Sequence, residues 1–168
     1  MIASTSWPPP GMNTPDSITA ANSVFGDTPA DTEAVPWPGR TFIIVDDRNR
    51  ALTLVDGNLK VEDIHTESHG SGCRWKCVET NGWLGFYNTT SGSYIGHNGH
   101  GNRKIFQASV RHHKTWETFC PRRHPDGGYI LLVAHHVENL WKVRIDEGNK
   151  GLFATADGEG TRWRFIRV

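Results

Sequence analysis

From Gly39 to Val168 the chain states one pattern three times, and that repetition limits the fold more than any other feature. Each unit opens on an apolar run: "TFIIV", "WLGFY" and "YILLV". A polar turn and a second piece follow, "ALTLV", "SYIGH" and "LWKVRI", then a third, "LKVEDI", "KIFQASV" and "GLFATA". Each unit closes on a tryptophan: Trp75 in "CRWKC", Trp116 in "KTWETF" and Trp163 in "TRWRF". The pieces are short, rich in β-branched and aromatic residues, and separated by Gly, Asn and Asp, which predicts four strands per unit. No helical period is sustained along them. Eighteen glycines against two methionines agree with tight turns rather than helices.

A unit of about 40 residues cannot bury its own apolar face, whereas three units around an axis bury one shared core. Closing the strands into a barrel also removes sheet edges that would otherwise aggregate. Trp75, Trp116 and Trp163 are therefore expected as buried anchors at equivalent positions. Phe42, Ile44, Leu52, Leu54, Leu84, Phe86, Leu131, Val143, Leu152 and Phe165 are expected around them.

Three copies of a four-stranded unit resemble the β-trefoil, in which six strands form a short barrel and three hairpins cap one end. "SGSYIGH", "TWETF", "TRWRF" and "DGGYILLV" are similar to segments of the fascin-like and ricin-B-like trefoils of fungal type. The resemblance covers residues 39–168 and implies an all-β fold, a single β-trefoil. Ricin-type lectins usually close each repeat on Gln-x-Trp and grip sugar hydroxyls with an aspartate after the second strand's leucine. Here the residues two before the tryptophans are Cys73, Lys114 and Thr161, and the second strands lack the leucine–aspartate pair. Those sugar contacts do not carry over. Fascin-like actin bundling uses several trefoils in one chain, and a single trefoil offers no second filament site unless it dimerises.

Residues 1–38 differ in composition. They hold seven of the nine prolines, and Asp16, Asp27, Asp31 and Glu33 with no Lys or Arg. Such a segment buries too little surface to fold alone. An extended, acidic, Pro-rich N-terminal arm over 1–38 is expected, loose or lying on the core through Trp7, Phe25 and Trp37.

Lys plus Arg equals Asp plus Glu at 18 each, which argues against nucleic acid or an anionic membrane surface as partner. No run approaches the roughly 20 apolar residues that span a bilayer. The N-terminal segment lacks a basic start followed by an apolar block, so a cytoplasmic location is expected. Cys73, Cys77 and Cys120 are an odd number, which fits free thiols. Cys73 and Cys77 lie about 13 Å apart on an extended strand, too far for a disulfide. No CxxC pair is present, and neither metal nor cofactor is expected.

Nine histidines fall mostly in turns of the three repeats. His97 and His100 flank the "GHNGHG" turn, His112 and His113 precede the second closing strand, and His135 and His136 follow "YILLV". Imidazoles gathered at one barrel end suit ligand contacts or acid–base work. His97, His100, His135 and His136, with Trp83 and Trp141 as stacking surfaces, are the candidate ligand-binding residues. His97, His112 and His113, with Glu117 as orienting carboxylate, are the catalytic candidates, and Asp46 and Asp47 offer paired acids. "NTT" at Asn88 reads as a turn, and "RNR" and "PRRH" as small basic loops. Two functions follow. One is a non-catalytic recognition module that takes a glycan, a small-molecule ligand or a protein partner on trefoil loops. The other is a small cofactor-independent enzyme, of cyclase, isomerase or lyase type, acting on a hydrophobic metabolite.

Overall fold

The computed structural model describes residues 33–64 and 70–168. The expected arm up to residue 32, with Trp7 and Phe25, lies outside the described residues, as do His65 and His69. Twelve strands follow one another: β1 (Thr41–Asp46), β2 (Arg50–Val55), β3 (Asn58–Asp63), β4 (Arg74–Thr80), β5 (Trp83–Asn88) and β6 (Ser93–His97). Then come β7 (Lys104–Val110), β8 (Cys120–Arg123), β9 (Tyr129–His135), β10 (Asn139–Ile145), β11 (Leu152–Thr155) and β12 (Arg162–Arg167). No helix among the described residues is long and apolar enough to cross a membrane.

Six strands close a ring of antiparallel contacts: β1 with β4, β4 with β5, β5 with Phe119 immediately ahead of β8, β8 with β9, β9 with β12, and β12 with β1. The other six form the hairpins β2–β3, β6–β7 and β10–β11. Two further contacts join the hairpins. Phe153 faces Ile105, and the Val61 N–H donates to Lys150 O at 2.9 Å. This is an all-β, single β-trefoil, with each repeat supplying two barrel strands, a hairpin of two strands, and the turns between them.

The register corrects one expectation. Phe42 pairs with Trp75 in the first repeat and Tyr129 with Trp163 in the third, and the matching pair of the second is Leu84 with Phe119. Phe119, not Trp116, is the second repeat's anchor. Trp75, Trp163 and Phe119 are buried, while Trp116 is 47% exposed. The expected strand "KTWETF" is instead a single 3-10 turn over Thr115–Glu117, and β8 begins only at Cys120. The turn is locally closed. Lys114 N–H donates to Glu117 Oε2 at 3.0 Å, Glu117 N–H returns to Lys114 O at 3.0 Å, and the Thr118 hydroxyl donates to Thr115 O at 2.8 Å. It takes up the residues that would have carried Trp116 inward. "PRRH" accordingly lies largely in β8 rather than in a loop.

The core is a chain of aromatic rings. Phe119 meets Phe106 at 5.9 Å and Phe86 at 5.4 Å, Phe86 meets Phe165 at 5.6 Å, and Phe165 meets Phe42 and Tyr129 edge-on at 5.6 Å. Such spacings lie in the favourable range for tilted and edge-to-face pairs. All ten aliphatic and phenylalanine residues expected around the anchors belong to this core or pack against it. Cys73 and Cys77 are buried and Cys120 half-buried, and none is bonded to another. Desolvation pushes the Cys77 thiol up to about 12, so it behaves as a small hydrophobe.

Asn88 is fully buried and makes the turn its sequence suggested. Its Oδ1 accepts the N–H groups of Thr90 and Ser91, and its Nδ2 donates to the carbonyls of Ser71, Gly72 and Arg74. It thereby ties the second repeat to the first. Ahead of β1, Ala34 N–H donates to Phe165 O at 2.7 Å, and Glu33 accepts Gly128 N–H and pairs with Arg123. Trp37 is 66% exposed and is not among the buried core residues of the described chain.

Candidate functional site

The β6–β7 loop, the 3-10 turn and the β9–β10 loop meet around a cleft of about 600 Å³. Its walls include His97, Lys104, Trp116, His135 and His136. The register explains how an imidazole reaches it. His97 pairs with Phe106 as Leu54 pairs with Leu59 and Ile145 with Leu152. Two repeats place an apolar side chain at this core-edge position, and the second places a histidine, 5% exposed. Gly99 N–H donates to His97 Nδ1 at 3.0 Å, so the neutral ring carries its proton on Nε2. Nε2 has no partner among the described residues. Burial first, then the charges of Lys104 and His135, hold the imidazole down at about 4, so it is uncharged at neutral pH.

Lys104 arrives by strand parity. Residues 104, 106 and 108 of β7 point inward, which places an ammonium group in line with Phe106 and Ala108. The side chain is 5% exposed. Its Nζ donates to Gly99 O at 3.4 Å and lies 5.4 Å from the Trp141 ring centroid. No carboxylate of the described residues pairs with it, and desolvation lowers its pKa. His135 stacks flat on Trp141 at 3.6 Å and meets His136 edge-on at 4.1 Å. Its Nδ1 also lacks a partner among the described residues, and desolvation, then His136 and Lys104, lower its pKa.

Trp116 covers one side of the loop. Gly99 has a φ of +74°, and a Cβ built there would lie 2.5 Å from the indole, so the backbone runs directly against the ring. The residue as a whole is 47% exposed. His100 meets its edge at 6.0 Å and His97 lies 6.2 Å from it.

Of the candidate residues, His97, His135 and His136 thus line this cleft and His100 meets the edge of Trp116 beside it, with Trp141 beneath as a buried support rather than an open platform. The others do not join them. Trp83 is 37% exposed at the start of β5, beside the turn from β4. His112 is exposed. His113 stacks on Tyr94 at 5.5 Å and its Nδ1 shares a 2.8 Å hydrogen bond with Thr80 Oγ1. Glu117 is buried against Gly96, where a Cβ would lie 2.7 Å from Oε1, and its other oxygen is used by Lys114 N–H. No hydrogen bond or ion pair joins its carboxylate to His112 or His113 among the described residues. Two contributors were not singled out from sequence, Lys104 as a wall and Trp116 as an exposed ring.

A second cleft, about 550 Å³, runs past Asp46, Arg50, Arg122, Lys142, Glu147 and Arg162. Its central charges satisfy each other. Asp46, fully buried, accepts the N–H groups of Arg48 and Arg50 and the Arg50 Nε–H, and Arg50 also forks onto both Glu147 oxygens. Asp46 and Asp47 are therefore not a matched acid pair: one is fixed in a turn, and the other faces Arg162 at 3.9 Å. Arg50 of "RNR" belongs to this network and not to a solvated loop. Among the described residues no three His, Cys, Asp or Glu side chains converge to hold a metal ion.

No family model matches the chain, and no curated protein matches it. Solved structures do. A ricin B-like lectin from Macrolepiota procera, in complex with lactose, superposes with a TM-score of 0.65 at 14% identity, over 80% of this chain and 100% of the lectin. The Rhizoctonia solani agglutinin gives 0.62 at 18% identity, over 80% of this chain and 99% of its own. ThreeFoil, a designed 3-fold symmetric protein, gives 0.64 at 14% identity, over 76% and 99%. These likenesses establish the trefoil fold.

Proposed function

We propose that the protein is a non-catalytic recognition module that binds a glycan in the cleft between its second and third repeats. The observation that carries this reading is the open face of Trp116 beside His97 and His135, each of which holds a ring nitrogen without a partner. An exposed indole next to unpartnered ring nitrogens suits a sugar, which offers an apolar ring face and polar hydroxyls. In the Asp46–Arg50–Glu147 cleft the central charges already bond one another, which favours the Trp116 cleft as the one built for a ligand. The trefoil neighbours include a lectin solved with lactose, which lends support without carrying any residue across. The acid–base arrangement that an enzyme would draw from His112, His113 and Glu117 is not assembled, so the recognition reading is preferred.

A glycan array tests it, with Trp116→Ala as the paired variant. Binding to at least one glycan is expected, weakened about tenfold or more in the variant, a loss of about 1.4 kcal/mol. Silence across the array at high protein concentration, or binding that Trp116→Ala leaves intact, would overturn the assignment of the cleft. A protein partner captured in place of glycans would leave a recognition module of another kind.

A further inference from the structure

From the charges around this cleft we infer that it holds a site for one negatively charged oxyanion, a carboxylate or a sulfate ester, carried by the sugar it binds. The inference rests on the glycan reading above and names the class of glycan.

Lys104 is the reason. A lysine 5% exposed is rare without a carboxylate beside it, because an unpaired buried charge is costly. Among the described residues its one hydrogen-bond acceptor is Gly99 O, at 3.4 Å, and its ammonium group lies 5.4 Å from the Trp141 ring centroid. An ammonium group has three protons to donate. The two polar atoms nearest in role, His97 Nε2 and His135 Nδ1, are buried and also unpartnered. In His97 the tautomer is set by Gly99, so Nε2 is a donor. The cleft therefore presents one positive charge and at least one N–H donor, and among the described residues no opposing carboxylate pairs with that charge.

Neutral ligands would leave that charge uncompensated. A dianion would exceed it, since burial keeps His97 uncharged and lowers the pKa of His135. A monoanion matches it. The exposed face of Trp116 at the same cleft supplies the surface for the sugar ring that carries the anion.

The test is titration of the full chain with N-acetylneuraminic acid, galactose 6-sulfate, galactose and methyl sulfate, followed by calorimetry and by the histidine ring resonances. Lys104→Met, similar in length and without charge, is the paired variant. An acidic sugar is expected to bind, with affinity falling as salt is raised, and to lose about tenfold or more in the variant. Preference between the carboxylate and the sulfate sugar identifies the source of the oxyanion. Lys104→Met is also expected to raise the melting temperature of the unliganded protein, because it removes a buried charge. Should the variant fail to fold, the His97 Nε2 resonance of the wild type is read instead. It should move with the acidic sugar and not with galactose.

Equal affinity for galactose and its 6-sulfate, with Trp116 still required, would overturn the oxyanion site and leave the glycan reading standing. Binding of methyl sulfate that depends on Lys104, with every sugar and array glycan silent, would uphold the oxyanion site and overturn the glycan reading. Silence to all four probes would overturn the oxyanion site.

Discussion

Phe119→Ala is expected to destabilise the protein by about 3–5 kcal/mol, against less than about 1 kcal/mol for Trp116→Ala three residues earlier. The larger side chain is the cheaper one to remove. Phe119 is 2% exposed and sits where Trp75 and Trp163 sit in the other repeats. Its ring joins Phe106 to Phe86, so truncation opens a void in the middle of the aromatic chain. It also bridges β5 immediately ahead of β8, where Leu84 N–H donates to Phe119 O at 3.2 Å and Phe119 N–H to Leu84 O at 2.7 Å. Trp116, by contrast, rests on Gly99 and faces water on the other side. Urea unfolding of both variants, with the slope checked against wild type, measures the difference. A domain of ordinary stability has about 5–15 kcal/mol in hand, so Phe119→Leu, at about 1 kcal/mol, serves if the alanine variant does not fold. A costlier Trp116→Ala would mean that the closing strand of the second repeat runs three residues earlier than described.

That strand marks where sequence reading fails and why. Eleven of the twelve strands coincide with short apolar runs between turn residues, because a trefoil strand must be apolar on its inner face and must end within a few residues. The exception rested on one conspicuous tryptophan. A better signal was present in the turns. Trp75 lies six residues before Asn81–Gly82 and Phe119 seven before Asp126–Gly127, whereas Trp116 lies ten before it. Distance to the next turn fixes strand register, and residue size does not.

The site was half legible for a related reason. Residue type pointed to His97, His100, His135 and His136; the fold brings His97, His135 and His136 to one cleft and sets His100 against the edge of Trp116. Lys104 went unnoticed because lysine at the start of a strand reads as solvent-facing. Only its parity with Phe106 and Ala108 turns it inward, and that parity depends on knowing which face of β7 is buried. Glu117 was legible as an acid but not as a buried one. The Gly96 backbone that covers it belongs to another strand, a contact no local pattern encodes.

His97→Leu is expected to make the fold more resistant to acid. The substitution restores the apolar class found at the equivalent positions, Leu54 and Ile145. In the folded wild type burial holds His97 down at about 4, while its ordinary value is 6.5. Between those values the unfolded chain binds a proton that the folded chain does not. Stability contributed by the neutral ring is therefore fully present above 6.5 and is lost as pH falls toward about 4. For one group this amounts to about 1–3 kcal/mol across the window. Lys104 on β7 and His135 on β9 face the ring and disfavour its charge, and no acid facing it offsets them among the described residues. Carboxylates and the other histidines titrate over the same range, so the measurement is a difference: unfolding free energy of variant minus wild type, followed from pH 7.5 to 4. The difference should widen in favour of leucine as pH falls, and parallel curves would show that the folded protein accepts the proton on His97 readily. The same variant is expected to lose affinity for an acidic sugar, since leucine cannot donate from the place of Nε2. Gain in stability with loss of binding is the pattern expected where one repeat departs from an apolar consensus to serve a ligand.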